Sequence, residues 1–260
     1  MGNESNRRFI KTFLDEKVNW ILSDTSAFEF IRSLRPEHKP SSSQNVGGGN
    51  LLSALGLLAV INLLAKLNYI LENNPGFADD TERARLQDAL KQVRKRAPYS
   101  EPSLKEAFSI LESSGRLDRV IPRWGEINET RAFIGLIQDF PQDIGLDKNN
   151  AQELEYVWNL FRNGLTHLFS PQGKGSIVTI DMDPRLGIFP LSVRKEMFRQ
   201  STDKAFQKFG STYAIFIPIM WRDLEEMHKW LSLKIDQKRD DQIDLVYVWL
   251  NKLTAGKGIP

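Results

Sequence analysis

Residues 151–167 read AQELEYVWNLFRNGLTH, and the reading of this stretch decides the fold. At about 100° per residue, Leu154, Val157, Trp158, Phe161, Leu165 and Leu168 share one face of a helix. Gln152, Glu155, Asn159, Arg162, Asn163, Thr166 and His167 collect on the opposite face. A segment built this way buries one side and presents an arginine, amides, a hydroxyl and an imidazole on the other.

Outward from it, the chain reads as mainly helical. Residues 6–34 form one or two amphipathic helices, with Phe9, Phe13, Trp20, Ile21, Phe28, Ile31 and Leu34 as the apolar candidates for burial. Arg35 to Gly49 holds Pro36, Pro40, three serines and three glycines, a composition that excludes regular structure. Leu51 to Leu71 is almost wholly apolar and about as long as a bilayer is thick. Asn62, Lys66, Tyr69 and Asn73 form a narrow polar stripe along it at i, i+4, i+7 and i+11. A lipid-facing helix would have to bury Lys66, so a core helix of a bundle is the better reading and no membrane is expected. Asn73-Asn74-Pro75-Gly76 stops it.

Thr81 to Ala97 reads as a surface helix with Arg83, Arg85, Lys91, Arg94, Lys95 and Arg96 against Glu82 and Asp88. It is either a phosphate-contacting patch or a solvated helix face. Ser103 with Glu106 has the spacing of a capping box. Helix continues through Asn128 to Phe140, and a loop from Pro141 to Asn150 leads into the central helix. Beyond His167 the texture becomes β: Ser176–Asp181 and Ile188–Val193 are short strands around a turn-like Asp183-Pro184-Arg185-Leu186-Gly187, and Thr212–Ile217 is a third. Two helices, about Pro218–Asp236 and Asp240–Leu253, close the chain. The expected fold is a helical bundle with a small β-hairpin or short sheet after the central helix. Its divisions are 1–49, a helical core over 50–170, and a β appendage with closing helices over 171–260.

Composition narrows the function. A formal charge of +2 over 260 residues gives no global pull toward nucleic acid, so any such contact is local. The absence of cysteine excludes disulfides, thiolate metal sites and thiol nucleophiles. Three histidines, His38, His167 and His228, without an H-x-x-x-H pair argue against zinc. Asp181 and Asp183, followed by Pro184, read as turn formers rather than metal ligands. Neither Gly47-Gly48-Gly49 nor Gly173-Lys174-Gly175-Ser176 has P-loop spacing. The N-terminus carries no apolar signal core, and a cytoplasmic address is expected. No cofactor is expected.

Arg162, Asn163 and, after four residues from Arg162, His167, near the end of a helix that precedes a β element, resemble the motif of the HEPN family (higher eukaryotes and prokaryotes nucleotide-binding). The resemblance takes in the long apolar helix and covers residues 50–170. It implies a helical bundle that forms a homodimer with the two motifs in a shared cleft, and a metal-independent endoribonuclease as the active form. A toxin–antitoxin or defence setting would add a regulatory or antitoxin protein as partner. In that frame RNA supplies its own 2′-OH nucleophile. His167 would act as acid or base, Arg162 would give the phosphate a planar donor fork, and Asn163 would orient the imidazole. Asn62, Lys66 and Tyr69, with Arg94 and Lys95, are the candidates for binding substrate.

The helical wheel places Asn163 about 40° from His167 and Arg162 about 140° from it, which favours a site completed by a second subunit. A plainer reading pairs Arg162 with Glu155 or Glu153 and leaves His167 as a cation at the helix C-terminus. The rival function is a non-catalytic helical interaction or nucleotide-sensing module using the same face.

Overall fold

A computed structural model describes residues 2–33, 49–72, 127–165, 175–178 and 200–240, and in the helical stretch that follows residues 242–243, 246–247 and 250. The fold is mainly α with a small sheet after the central helix. The described elements are α1 (Gly2–Ser33), α2 (Gly49–Glu72), α3 (Glu129–Asp139), α4 (Ala151–Trp158) with its π-helical continuation Asn159–Asn163, β1 (Gly175–Val178), β2 (Phe206–Phe209), β3 (Thr212–Phe216) and α5 (Ile217–Gln237). The expected helices at Thr81–Ala97 and Ser103–Ser113 and the expected strand at Ile188–Val193 lie outside the described residues.

The chain resolves into two compact units. One holds residues 1–13, 66–128 and 232–260, the other residues 14–65 and 129–231. In the first, the C-terminal end of α5 is tied to α1 by polar contacts. Arg7 donates to the carbonyls of Ile235 and, at 2.6 Å, Lys238, and pairs with Asp240 at 2.7 Å. Those carbonyls belong to the last turn and its exit, where a helix has no internal donors left, so the guanidinium acts as a cap. Lys234 and Lys238 both reach Glu72 Oε1, at 2.6 and 2.7 Å, and Lys234 also donates to Asn68 Oδ1 at 2.7 Å. Burial pushes the Glu72 carboxyl up, but the hydrogen bonds and charges of the two lysines outweigh it, and its pKa lies below the ordinary value.

α1 departs in detail from the expectation. Its buried stripe is Ile10, Leu14 and Val18, at i, i+4 and i+8; Phe9 and Phe13 flank it half-buried, and Trp20 is 69% exposed. The aromatic residues are the most apolar candidates by type, but the stripe that meets the core is aliphatic. Lys17 lies 5.0 Å over the Trp20 ring instead. α2 is apolar nearly all round and buried on most of its circumference, with Ser53, Asn62, Lys66 and Asn68 buried among its aliphatic residues. By length and composition it would also cross a membrane, and 72% of its most apolar window is buried within the protein.

The second unit carries the central helix. Asn150 caps α4, its Oδ1 accepting from the Glu153 N–H at 3.0 Å. Leu154, Val157, Trp158, Phe161 and Leu165 are buried, the face that periodicity marked, and Trp158 stacks on Phe133 of α3 at 4.5 Å. The loop before α4 is pinned at Gly145 (φ 93°), where a Cβ would stand 1.8 Å from the Phe206 carbonyl oxygen. That close approach lets the Phe206 N–H reach the Ile144 carbonyl at 2.9 Å.

The sheet has the order β1-β3-β2. β2 and β3 form the antiparallel hairpin, turning through Gly210 (φ 61°), and β1 runs parallel to β3 with Gly175 opposite Tyr213 and Val178 opposite Phe216. Among the described residues the hairpin is formed by β2 and β3, while the expected turn at Asp183–Gly187 lies outside them. β2 is only Phe-Gln-Lys-Phe, too short to show alternation and exposed at one end, so its composition carries no strand signal. Phe206 and Tyr213 face α4, meeting Phe161 at 6.2 Å and Tyr156 at 5.7 Å between ring centroids.

Candidate site at the end of the central helix

After Trp158 the central helix changes pitch. The Gly164 N–H donates to the Asn159 carbonyl, five residues back, which is a π-helical bond, and to the Phe161 carbonyl as well. The wide turn holds Asn159, Leu160, Phe161, Arg162 and Asn163. Leu160 and Phe161 are buried in it, and Arg162 and Asn163 are part-exposed. π-bulges of this kind concentrate at functional sites because they re-aim side chains at a cost in backbone regularity.

Arg162 sits in this turn, and its Nη2 lies 3.5 Å from Glu129 Oε2. Glu129 opens α3, where the helix dipole favours a carboxylate. The other oxygen, Glu129 Oε1, accepts a 2.9 Å hydrogen bond from Asn62 Nδ2 of α2. Asn62 is 8% exposed, Arg162 and Glu129 side chains 23% and 34%. One polar node thus joins three helices, buried at Asn62 and part-exposed at Glu129 and Arg162.

Of the residues singled out in the sequence, Arg162 and Asn62 are brought together, through Glu129. Asn163 Nδ2 donates to Asn159 Oδ1 at 2.8 Å, an i, i+4 pair toward the N-terminal side of the turn. Lys66 is buried at 2% exposure and Tyr69 is half-buried; both belong to the first unit. His167, Arg94 and Lys95 lie outside the described residues, as do His38 and the Asp181/Asp183 pair. His228 lies with Nε2 2.8 Å from Asp15 Oδ1, on α5. The plainer pairing of Arg162 with Glu153 or Glu155 is replaced by Glu129. Glu153 instead accepts from the Tyr213 hydroxyl at 2.5 Å and from Lys208 at 3.2 Å. The Tyr213 hydrogen bond, opposed by burial and aided by Lys208, holds the Glu153 carboxyl below its ordinary pKa.

Glu129 is the residue that the sequence reading passed over. An acidic residue in the first turn of a helix is commonplace, and its partners lie 33 residues downstream and 67 upstream by number, so no local pattern marks it.

A concave region of about 970 Å³ lies elsewhere, between the 140–150 loop and α5, lined by Gln142, Asp143, Ser201, Lys204, Arg222 and Glu226 among others. Its most basic group is already engaged: Arg222 donates to the carbonyls of Ser201 and Asp203, at 2.5 and 3.0 Å, and to Asp223. Burial pushes the Asp223 carboxyl up despite that neighbour. Among the described residues no group of three His, Asp or Glu side chains is arranged to hold a metal ion. No family model matches the chain, and neither a curated protein nor a solved structure matches it.

Proposed function

We propose that the chain is a HEPN-like protein that acts on RNA as a homodimer, cleaving it without a metal. The observation that carries the reading is Arg162, a partly exposed guanidinium on a π-turn at the end of the central helix, paired to a carboxylate from another helix. Asn163 stands beside it in the same turn.

In the reaction the 2′-oxygen of a ribose attacks the adjacent phosphorus and the bond from phosphorus to the 5′-oxygen breaks, leaving a 2′,3′-cyclic phosphate and a 5′-hydroxyl. Arg162 takes the charge that develops on the non-bridging oxygens. His167 accepts the 2′-OH proton or supplies the one that the leaving 5′-oxygen needs. Asn163 orients the imidazole. The site is cytoplasmic in this reading, and a regulatory or antitoxin protein restrains it.

The test is incubation of purified protein with labelled RNA in EDTA, beside His167→Ala. The expected result is cleavage with cyclic phosphate ends, falling at least about 100-fold in the variant. Cleavage that survives the substitution, or none by the wild type, sinks the catalytic reading. RNA bound without being cut selects the interaction module instead.

A further inference from the structure

We infer that Glu129 and Asn62 are positioning residues for Arg162: the buried amide sets the carboxylate, and the carboxylate sets the guanidinium that receives the phosphate. The inference rests on the reading of Arg162 as the phosphate-contacting group.

Each oxygen of Glu129 meets one member of the node. Oε1 is held at 2.9 Å by Asn62, and Oε2 faces Arg162 at 3.5 Å. A carboxylate fixed at one oxygen by a rigid donor has little freedom at the other, so its direction is dictated from α2. Asn62 is a poor choice for stability alone. It lies between the buried residues Ile61 and Leu64 on an otherwise apolar helix, and its Oδ1 is buried with no hydrogen-bond partner among the described residues. An unsatisfied acceptor there is costly, and an aliphatic side chain would remove the cost. What the amide supplies in return is the hydrogen bond to Glu129.

Glu129 lies in the first turn of α3, where the helix dipole favours a carboxylate. Asn62 is buried at 8% exposure, and the Glu129 and Arg162 side chains it leads to are part-exposed, at 34% and 23%. A phosphate reaches the guanidinium from solvent, whereas the amide that aims it stays inside. An arginine whose rotamer is restricted beforehand loses less conformational freedom when the phosphate binds.

The experiment compares wild type, Glu129→Gln, Asn62→Leu, Arg162→Ala and the double variant Glu129→Gln/Arg162→Ala, each checked for folding by thermal melting. Glu129→Gln keeps an acceptor for Asn62 and removes the charge. With a short labelled single-stranded RNA of mixed sequence, Glu129→Gln lowers kcat/KM about 10-fold, the usual scale for a residue that orients a ligating group. Asn62→Leu acts in the same direction. On the Arg162→Ala background Glu129→Gln adds nothing, because its effect runs through Arg162. Tighter RNA binding or faster cleavage in Glu129→Gln overturns the inference, since Glu129 would then compete with the phosphate. Additive losses in the double variant overturn it too.

A second readout needs no RNA. The Nε–H resonance of Arg162, assigned by its disappearance in Arg162→Lys, is expected to shift and its guanidinium rotation to quicken in both Glu129→Gln and Asn62→Leu. An unchanged resonance overturns the inference even if RNA is cut. If the resonance responds while wild-type protein leaves RNA untouched, the positioning stands and the RNA reading falls.

Discussion

The central helix is tied by a glutamate in its first turn and again in its π-turn, and in opposite senses. In the first turn the carboxylate is on the helix, where the helix dipole favours it: Glu153 receives Tyr213 and Lys208 from the hairpin. In the π-turn the cation is on the helix, and Glu129 comes from α3. They differ in geometry. The Tyr213 bond at 2.5 Å is short and part-buried, on a regular helix. The Arg162 pair at 3.5 Å is looser, rises from a π-turn, and is backed by a buried amide with an unsatisfied oxygen. The first joins helix to sheet at little cost. The second retains cost, in a π-turn and in a buried oxygen left without a hydrogen bond.

The largest expected effect strikes both ties at once. Trp158→Ala empties the stack on Phe133 and should cost about 3–5 kcal/mol in chemical denaturation. A loss under about 1 kcal/mol would mean that the core does not hold the helix in place. Next, Tyr213→Phe removes the donor to Glu153 and should cost about 1–2 kcal/mol while leaving RNA cleavage unchanged. If cleavage falls with it, the distinction between the ties is lost.

Acid titration separates the ties further. The Glu153 carboxyl is held below its ordinary value of 4.5, so its contribution to stability is present above that value and is lost as pH falls through the depressed folded pKa. Tyr213→Phe should therefore flatten the acid limb of a pH–Tm curve. Asp223 works with the opposite sign. Its folded pKa is raised above 3.8, so the native state loses stability as pH climbs from there through the raised value, and Asp223→Asn should remove that slope. An identical slope in the variant would deny the burial effect. The smallest effect on stability belongs to Arg162→Ala, at most about 1 kcal/mol for a partly exposed pair. In cleavage it should be the costliest of these, on the order of 100-fold.

Much of this was legible in the residues. The buried face of the central helix, the limits of α3, the 140–150 loop and the apolar character of α2 all follow from periodicity and breakers within a window of a few turns. Arg162 and Asn163 were found because their spacing is local. Asn62 was found because a polar residue on an apolar helix is conspicuous. Glu129 was not, since nothing around Asn128-Glu129-Thr130 distinguishes a helix start from a site. β2 was missed for a related reason: four residues with one buried phenylalanine become a strand only when Thr212–Phe216 lies beside them.

The sequence by itself determined the helical character of α1 to α5 and the buried face of the central helix, because both depend on neighbours one to eight residues away. Only the tertiary structure decided that the helix from Ala151 widens into a π-turn around Arg162, that β1 runs parallel to β3, and that Arg162 pairs with Glu129. Those outcomes are settled by how helices and strands distant in sequence pack. A hydrogen bond or ion pair across such a distance leaves no periodic trace in the chain that makes it.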